Sequence, residues 1–123
     1  MSTPSEITLP MMRQAFTSAV VSDALDAEGY SRQSPRLPLK PLIVNTVLIG
    51  RCKTTLWAEM AHPDPKPYEL ELQAVDSGKP DDVLIAAANG SLRSGIWGEL
   101  LSTAARSTGC VGVIVDGAVR DVR

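Results

Sequence analysis

The feature that most constrains this chain is a strand–helix–strand pattern in its last third. Val83-Leu84-Ile85-Ala86-Ala87-Ala88 is a short, wholly apolar run, as expected of a strand covered on both faces. Asn89-Gly90 follows as a turn signal. Trp97, Leu100, Leu101, Ala104 and Ala105 then recur at i, i+3, i+4, i+7 and i+8, a core-facing helical stripe closed by Gly109. Val111-Gly112-Val113-Ile114-Val115 is a second apolar strand, followed by Asp116-Gly117. Two such strands joined through a helix are parallel, with a right-handed crossover. The fold class is therefore α/β.

Upstream, Pro10 opens a helical pattern carried by Met11, Met12, Ala15, Phe16, Ala19 and Val20. Thr17 and Ser18 interrupt it and cap a second helix, which runs through Val21 to Asp26 and stops at Gly29. Pro35, Pro38 and Pro41 make residues 31–41 an extended connection. Thr46 to Trp57 is rich in β-branched residues and reads as one long strand or two, bent at Gly50. After a proline-studded loop, Tyr68, Leu72 and Val75 share one helical face between Pro67 and Gly78.

With 123 residues the chain has the length of one domain, here 1–123. Aromatic residues are only 4%, so Ala, Val, Leu and Ile must build the core. A formal net charge of -2 excludes a polybasic nucleic-acid binder, because nothing would neutralise a run of phosphates. Cys52 and Cys110 lie in apolar stretches and read as two buried thiols. A single histidine, His62, in a proline-rich loop leaves no His/Cys zinc cage and reads as a surface residue. No apolar run is long enough to cross a bilayer and the N-terminus has no signal-peptide order, so a cytoplasmic location is expected.

Three local features carry chemistry. Gly95 and Gly98 precede the amphipathic helix, whose first-turn amides, from Gly98 to Leu101, lack intrahelical acceptors and suit a carboxylate or phosphate. Glu99 lies in that turn, where an acid offsets the helix dipole by ~0.3–1 kcal/mol. Arg120-Asp121 follows the second strand. Taken alone it is a solvated pair worth ~0–1 kcal/mol. At the carboxyl end of a parallel strand, where ligands gather, the same pair offers a hard oxygen for a divalent metal and a guanidinium for a carboxylate or carbonyl oxygen.

Gly98-Glu99-Leu100-Leu101, Ala104-Ala105, Gly109, Gly112 and Asp116-Gly117-Ala118-Val119-Arg120-Asp121 resemble the core signature of the 4-hydroxy-4-methyl-2-oxoglutarate aldolase family. That family also contains the regulator of ribonuclease E activity A. Its pattern of an acid, twenty residues and Arg-Asp is matched by Glu99, residues 100–119 and Arg120-Asp121. Ser22-Asp23-Ala24-Leu25, Gly50-Arg51-Cys52-Lys53-Thr54 and Asp82-Val83-Leu84-Ile85 add weaker matches, and the resemblance spans roughly Ser18 to Asp121.

The resemblance implies an αββα sandwich with a swivelling β/β/α core, assembled as a homotrimer or hexamer. It also implies a class II pyruvate aldolase that uses a divalent cation, Mg²⁺ or alternatively Mn²⁺. Asp121 would bind that cation directly and Glu99 would help hold it, through water. Arg120 would contact the keto-acid end of the substrate, and the amides from Gly98 to Leu101 its carboxylate. Cleavage of a 4-hydroxy-4-methyl-2-oxoglutarate-type acid leaves a pyruvate enolate, whose charge the cation and Arg120 would stabilise. Oxaloacetate decarboxylation passes through the same enolate. No Schiff-base lysine is marked among Lys40, Lys53, Lys66 and Lys79, and a metal-bound water is the expected proton shuttle.

Two departures from the family stand out. Pro80-Asp81-Asp82 replaces the glycine that often precedes the strand-leading Asp. The chain also ends at Arg123, whereas family members continue, so a C-terminal continuation is expected and 1–123 is expected to be a partial form. The alternative function is a non-catalytic regulator that binds a ribonuclease or another protein. A phosphate binder is disfavoured because no Walker-type Gly-Lys-Ser/Thr is present. The enzymatic reading requires Glu99 and Asp121 to approach one another across a shared cavity.

Overall fold

Residues 6–59, 65 and 69–122 are described in the computed structural model; His62, Pro67 and Tyr68 lie outside them. The chain divides into two compact units, 1–49 and 50–123.

The N-terminal unit carries α1, Leu9–Ala15, and α2, Ser18–Ala27. Each begins on a threonine whose hydroxyl accepts a first-turn amide, Thr8 from Met11 at 3.3 Å and Thr17 from Val20 at 3.2 Å. Pro10 sits in the first turn of α1, where its missing N–H costs nothing. Gly29, at φ +89°, ends the α2 segment in the left-handed region that glycine favours. The Arg13 guanidinium donates Nε–H to the Ile49 carbonyl at 2.9 Å, tying α1 to the end of the unit. None of the described residues of this unit is buried.

The second unit contains β1, Arg51–Leu56; α3, Glu69–Asp76; β2, Asp82–Trp97; α4, Glu99–Ser107; and β3, Gly112–Val119. The strands form a parallel sheet in the order β1-β2-β3, with α4 crossing between β2 and β3. Parallel helix-and-sheet architecture is thus the α/β class that the apolar runs predict. Leu84 and Ala86 of β2 stand opposite Val113 and Val115 of β3, on one face of the sheet. Val75 of α3 and Leu101 and Ala105 of α4 cover that face, and Trp97 completes the cluster. The core is otherwise aliphatic, and Trp97 joins it as its place in the core-facing stripe predicts.

Strand periodicity explains where β1 differs from expectation. Lys53, Thr55 and Trp57 face the helix layer and are half-buried, whereas Cys52, Thr54 and Leu56 are exposed. Cys52 is thus not a buried thiol: it belongs to the sheet face opposite α3 and α4. Cys110 is half-buried, with its Sγ donating to the Gly112 carbonyl. Residues 46–50 are not strand, and β1 begins just after Gly50, where a Cβ would overlap the Asp81 carbonyl.

β2 is longer than its apolar run. It continues through Asn89 and Gly90, both at positive φ, to Trp97. Its register against β3 slips three times: Ala87 pairs with Asp116, Ser91 with Gly117, Gly95 with Ala118 and Trp97 with Val119. The Asn-Gly turn chemistry is real, but it bulges the strand instead of ending it. Trp97 closes β2 and is not part of α4, which starts at Glu99.

Candidate functional site at the carboxyl ends of β2 and β3

β2 and β3 end side by side, at Trp97 and Val119. The Arg120 amide donates to the Trp97 carbonyl at 2.8 Å, so the chain leaving β3 is pinned to the residue that precedes the α4 cap. Gly98 is that cap, buried and extended at φ -158°. It supplies no side chain to the open helix end. Asp121 supplies one instead: its Oδ2 accepts from the Glu99 amide at 3.4 Å. Asp121 adopts φ +61°, a left-handed conformation that Asp tolerates better than most residues. That turn brings its carboxylate back onto the start of α4.

The Arg120 side chain runs over the same glycines. A Cβ on Gly95 would lie 3.1 Å from Arg120 Cβ. A Cβ on Gly98 would lie 2.8 Å from Arg120 Cγ, 2.9 Å from Asp121 Oδ2 and 3.0 Å from Arg120 Nε. Both side chains occupy the space that a larger residue would fill. Arg120, Asp121 and Glu99 are exposed, so the cluster opens to solvent.

The expected site residues fall as follows. Gly98, the Glu99 amide, Arg120 and Asp121 meet at one point. The Leu100 and Leu101 amides lie in the same first turn, but their side chains diverge: Leu100 is 81% exposed and Leu101 is in the core at 9%. The Glu99 amide is already engaged by Asp121. A cavity of about 410 Å³ is lined by residues of the N-terminal unit, Thr17, Val21, Leu25 and Leu48 among them, and by none of these. No cluster of three or more metal-ligating side chains is present among the described residues. The Asp121 carboxylate at this helix end is a hard oxygen donor of the kind that Mg²⁺ takes while retaining several waters, so its donor chemistry fits that ion.

Sequence reasoning missed Glu71. It lies in the first turn of α3 and is half-buried, although the helix acids Glu69 and Asp76 are exposed. Burial pushes its carboxyl up from the ordinary value, while the positive charge of Arg120 pulls it back. Nothing in the α3 pattern separates Glu71 from Glu69; only its burial in the fold does. A second cluster joins Glu59 to Ser91 at 2.7 Å and to Arg93 at 3.2 Å. The Ser91 hydroxyl first, and Arg93 next, hold the Glu59 carboxyl below its ordinary range.

Residues 18–123 match the family model described as RraA-like, Aldolase/RraA. The chain belongs to the RraA-like family. It is 30% identical to protein DlpA of Legionella pneumophila over 118 residues, covering 94% of this chain and 19% of DlpA. It is 29% identical over 119 residues to a Halalkalibacterium halodurans protein provisionally named a 4-hydroxy-4-methyl-2-oxoglutarate aldolase, covering 97% of this chain and 52% of that protein. The crystal structure of Streptomyces coelicolor RraAS2, described as an unusual member of the RNase ES inhibitor RraA family, superposes with a TM-score of 0.71 at 26% identity. That superposition covers 93% of this chain and 55% of RraAS2. The chain thus spans about half the length of the aldolase-named relative and of RraAS2, and less of DlpA. Asp81, just before β2, adopts φ +68°, the backbone region that glycine favours.

Proposed function

We propose that this RraA-like chain is a divalent-metal-dependent pyruvate aldolase. Its substrates are 4-hydroxy-4-methyl-2-oxoglutarate-type hydroxy-keto acids, and oxaloacetate decarboxylation is its second activity. The observation that carries this reading is the convergence of Arg120 and Asp121 on Gly98 and Glu99, with the Asp121 carboxylate 3.4 Å from the Glu99 amide. The match to an aldolase-named relative supports the same reaction class.

Each residue has a defined role. The Arg120 guanidinium grips the carboxylate or carbonyl oxygen of the keto acid, and its charge lies where the enolate oxygen develops after C–C cleavage. The first-turn amides of α4 at Leu100 and Leu101 face the same end and orient the substrate carboxylate. Asp121, with Glu99 behind it, would hold a divalent cation, Mg²⁺ or Mn²⁺, which when bound supplies Lewis-acid polarisation of the keto oxygen. Gly98 keeps the ground clear for both side chains. The working form is a cytoplasmic homo-oligomer, a trimer or hexamer.

Pyruvate release from oxaloacetate, followed with and without EDTA, tests the reading. EDTA should abolish turnover and excess Mg²⁺ restore it, and Arg120→Ala and Asp121→Ala should each lower kcat/KM by about 100-fold or more. Turnover that survives EDTA and both substitutions would overturn it.

A second reading, a non-catalytic regulator that binds a ribonuclease or another protein, is supported by the similarity to RraAS2. A folded, Mg²⁺-loaded protein that turns over no keto acid would select this reading.

A further inference from the structure

We propose that Glu59 is a positioning residue for Arg120: its carboxylate clamps the looped-out part of β2 and so fixes the backbone at Gly95, on which the arginine stem lies. The proposal rests on the role given to Arg120 above.

β2 approaches the site through residues 91–97, and its ladder to β3 is sparse there. Leu92, Arg93 and Ser94 stand between Ser91 and Gly95, whereas the partners of those two residues, Gly117 and Ala118, are adjacent in β3. The extra residues of a bulge leave the ladder unpaired, so side chains must locate this stretch. Glu59 does so from the chain that follows β1. It accepts from the Ser91 hydroxyl at 2.7 Å through Oε1 and from Arg93 Nη1 at 3.2 Å through Oε2. The Ser91 oxygen in turn accepts from the Arg93 amide at 3.5 Å. One carboxylate therefore holds the looped-out segment at its paired end and at its middle.

The clamp has a firm root and a short reach to the site. Two residues before Glu59, Trp57 donates its amide to the Ala87 carbonyl at 2.8 Å and its indole N–H to the Thr55 hydroxyl at 2.9 Å. Its ring packs against the core. Two residues after Arg93, Gly95 carries Arg120: a Cβ there would lie 3.1, 3.5 and 3.6 Å from Arg120 Cβ, Cγ and Cδ. Three carbons of the arginine stem thus rest against Gly95. The Arg120 amide is pinned separately, to the Trp97 carbonyl. With that root fixed, the place of Gly95 decides the direction in which the stem leaves it. The Arg93 and Glu59 side chains are 71% and 48% exposed. An exposed ion pair adds little to global stability, so the effect of the clamp is local.

The test combines a spectroscopic and a kinetic reading on the Mg²⁺-loaded protein. In protein labelled with ¹⁵N-arginine, the Nε–Hε resonance of Arg120 is assigned by its loss in Arg120→Lys. That resonance should move in the same direction in Glu59→Ala and in Ser91→Ala, and the double variant should add little to either. Ser91→Ala removes no charge, so its shift reports movement and not a changed field. KM for oxaloacetate should rise about fivefold in Glu59→Ala, with kcat changing less, and Glu59→Gln, which keeps an acceptor for Ser91, should fall between. A merely structural Glu59 would lower the urea midpoint and leave the resonance in place. A resonance that stays, or that moves only where the charge is removed, overturns the proposal whether or not the protein turns over oxaloacetate. An unchanged KM in an active protein does the same. If the resonance moves in both variants but even the unsubstituted protein is inactive, the clamp stands and the reaction assigned to the site is what fails.

Discussion

Gly98 does its work by what it lacks. Its backbone, at φ -158°, is extended and would accept any residue, so flexibility is not the reason for glycine here. The reason is space: a methyl group would press on Arg120 Cγ at 2.8 Å and Asp121 Oδ2 at 2.9 Å. Both obstacles belong to exposed side chains that can swing away. Gly98→Ala should therefore cost no more than about 1 kcal/mol in urea unfolding, yet displace both groups and reduce oxaloacetate turnover at least about tenfold. Glu71 makes a prediction of opposite kind. Its folded-state carboxyl lies above the ordinary 4.5 because burial disfavours the charged form. Below that ordinary value the group is protonated in both states and burial carries no charge penalty. As pH rises through the folded-state value, relative stability is lost. Glu71→Gln removes this titration, so the variant should melt higher than the unsubstituted protein at pH 7, with the difference closing at pH 4. Glu59, held low by Ser91 and Arg93, has the reverse sign: its contribution is present near neutrality and fades on acidification.

Among the elements, α4 separates packing from chemistry most clearly. Leu101 is in the core at 9% exposure, whereas its neighbour Leu100 is 81% exposed. Leu101→Ala should destabilise by about 2–4 kcal/mol and Leu100→Ala by less than about 0.5 kcal/mol, both read from urea midpoints. The periodic stripe of Leu100, Leu101, Ala104 and Ala105 made this helix legible, because an amphipathic spacing has few other meanings. Its start was less legible. Trp97 fits the stripe, but it is the last residue of β2, and the helix begins only past the side-chain-less Gly98. β2 itself was half-legible: the apolar run from Val83 marks its buried part, while Asn89-Gly90 and Gly95 look like breaks although the strand bulges through them. Cys52 was misjudged because an apolar strand pattern does not say whether both sheet faces are covered. The Arg120-Asp121 pair could be picked out from its place after a buried strand. Glu71 could not, since its distinction from Glu69 depends on packing between segments far apart in sequence.

For the molecule as a whole, the family assignment and the site address different questions. Residues 18–123 carry the RraA-like match, and the same family description covers aldolases and RraA, so fold alone does not choose between chemistry and regulation. The choice lies in whether the exposed cluster at the carboxyl ends of β2 and β3 binds an oxo-acid with a cation. No helix among the described residues is long and apolar enough to cross a membrane. The most direct measurement is a crystal of this chain soaked in Mg²⁺ and oxalate, a mimic of the pyruvate enolate. The account predicts the metal on Asp121 and oxalate held between the Arg120 guanidinium and the first turn of α4. Both ligands bound away from Gly98, Arg120 and Asp121 would contradict it.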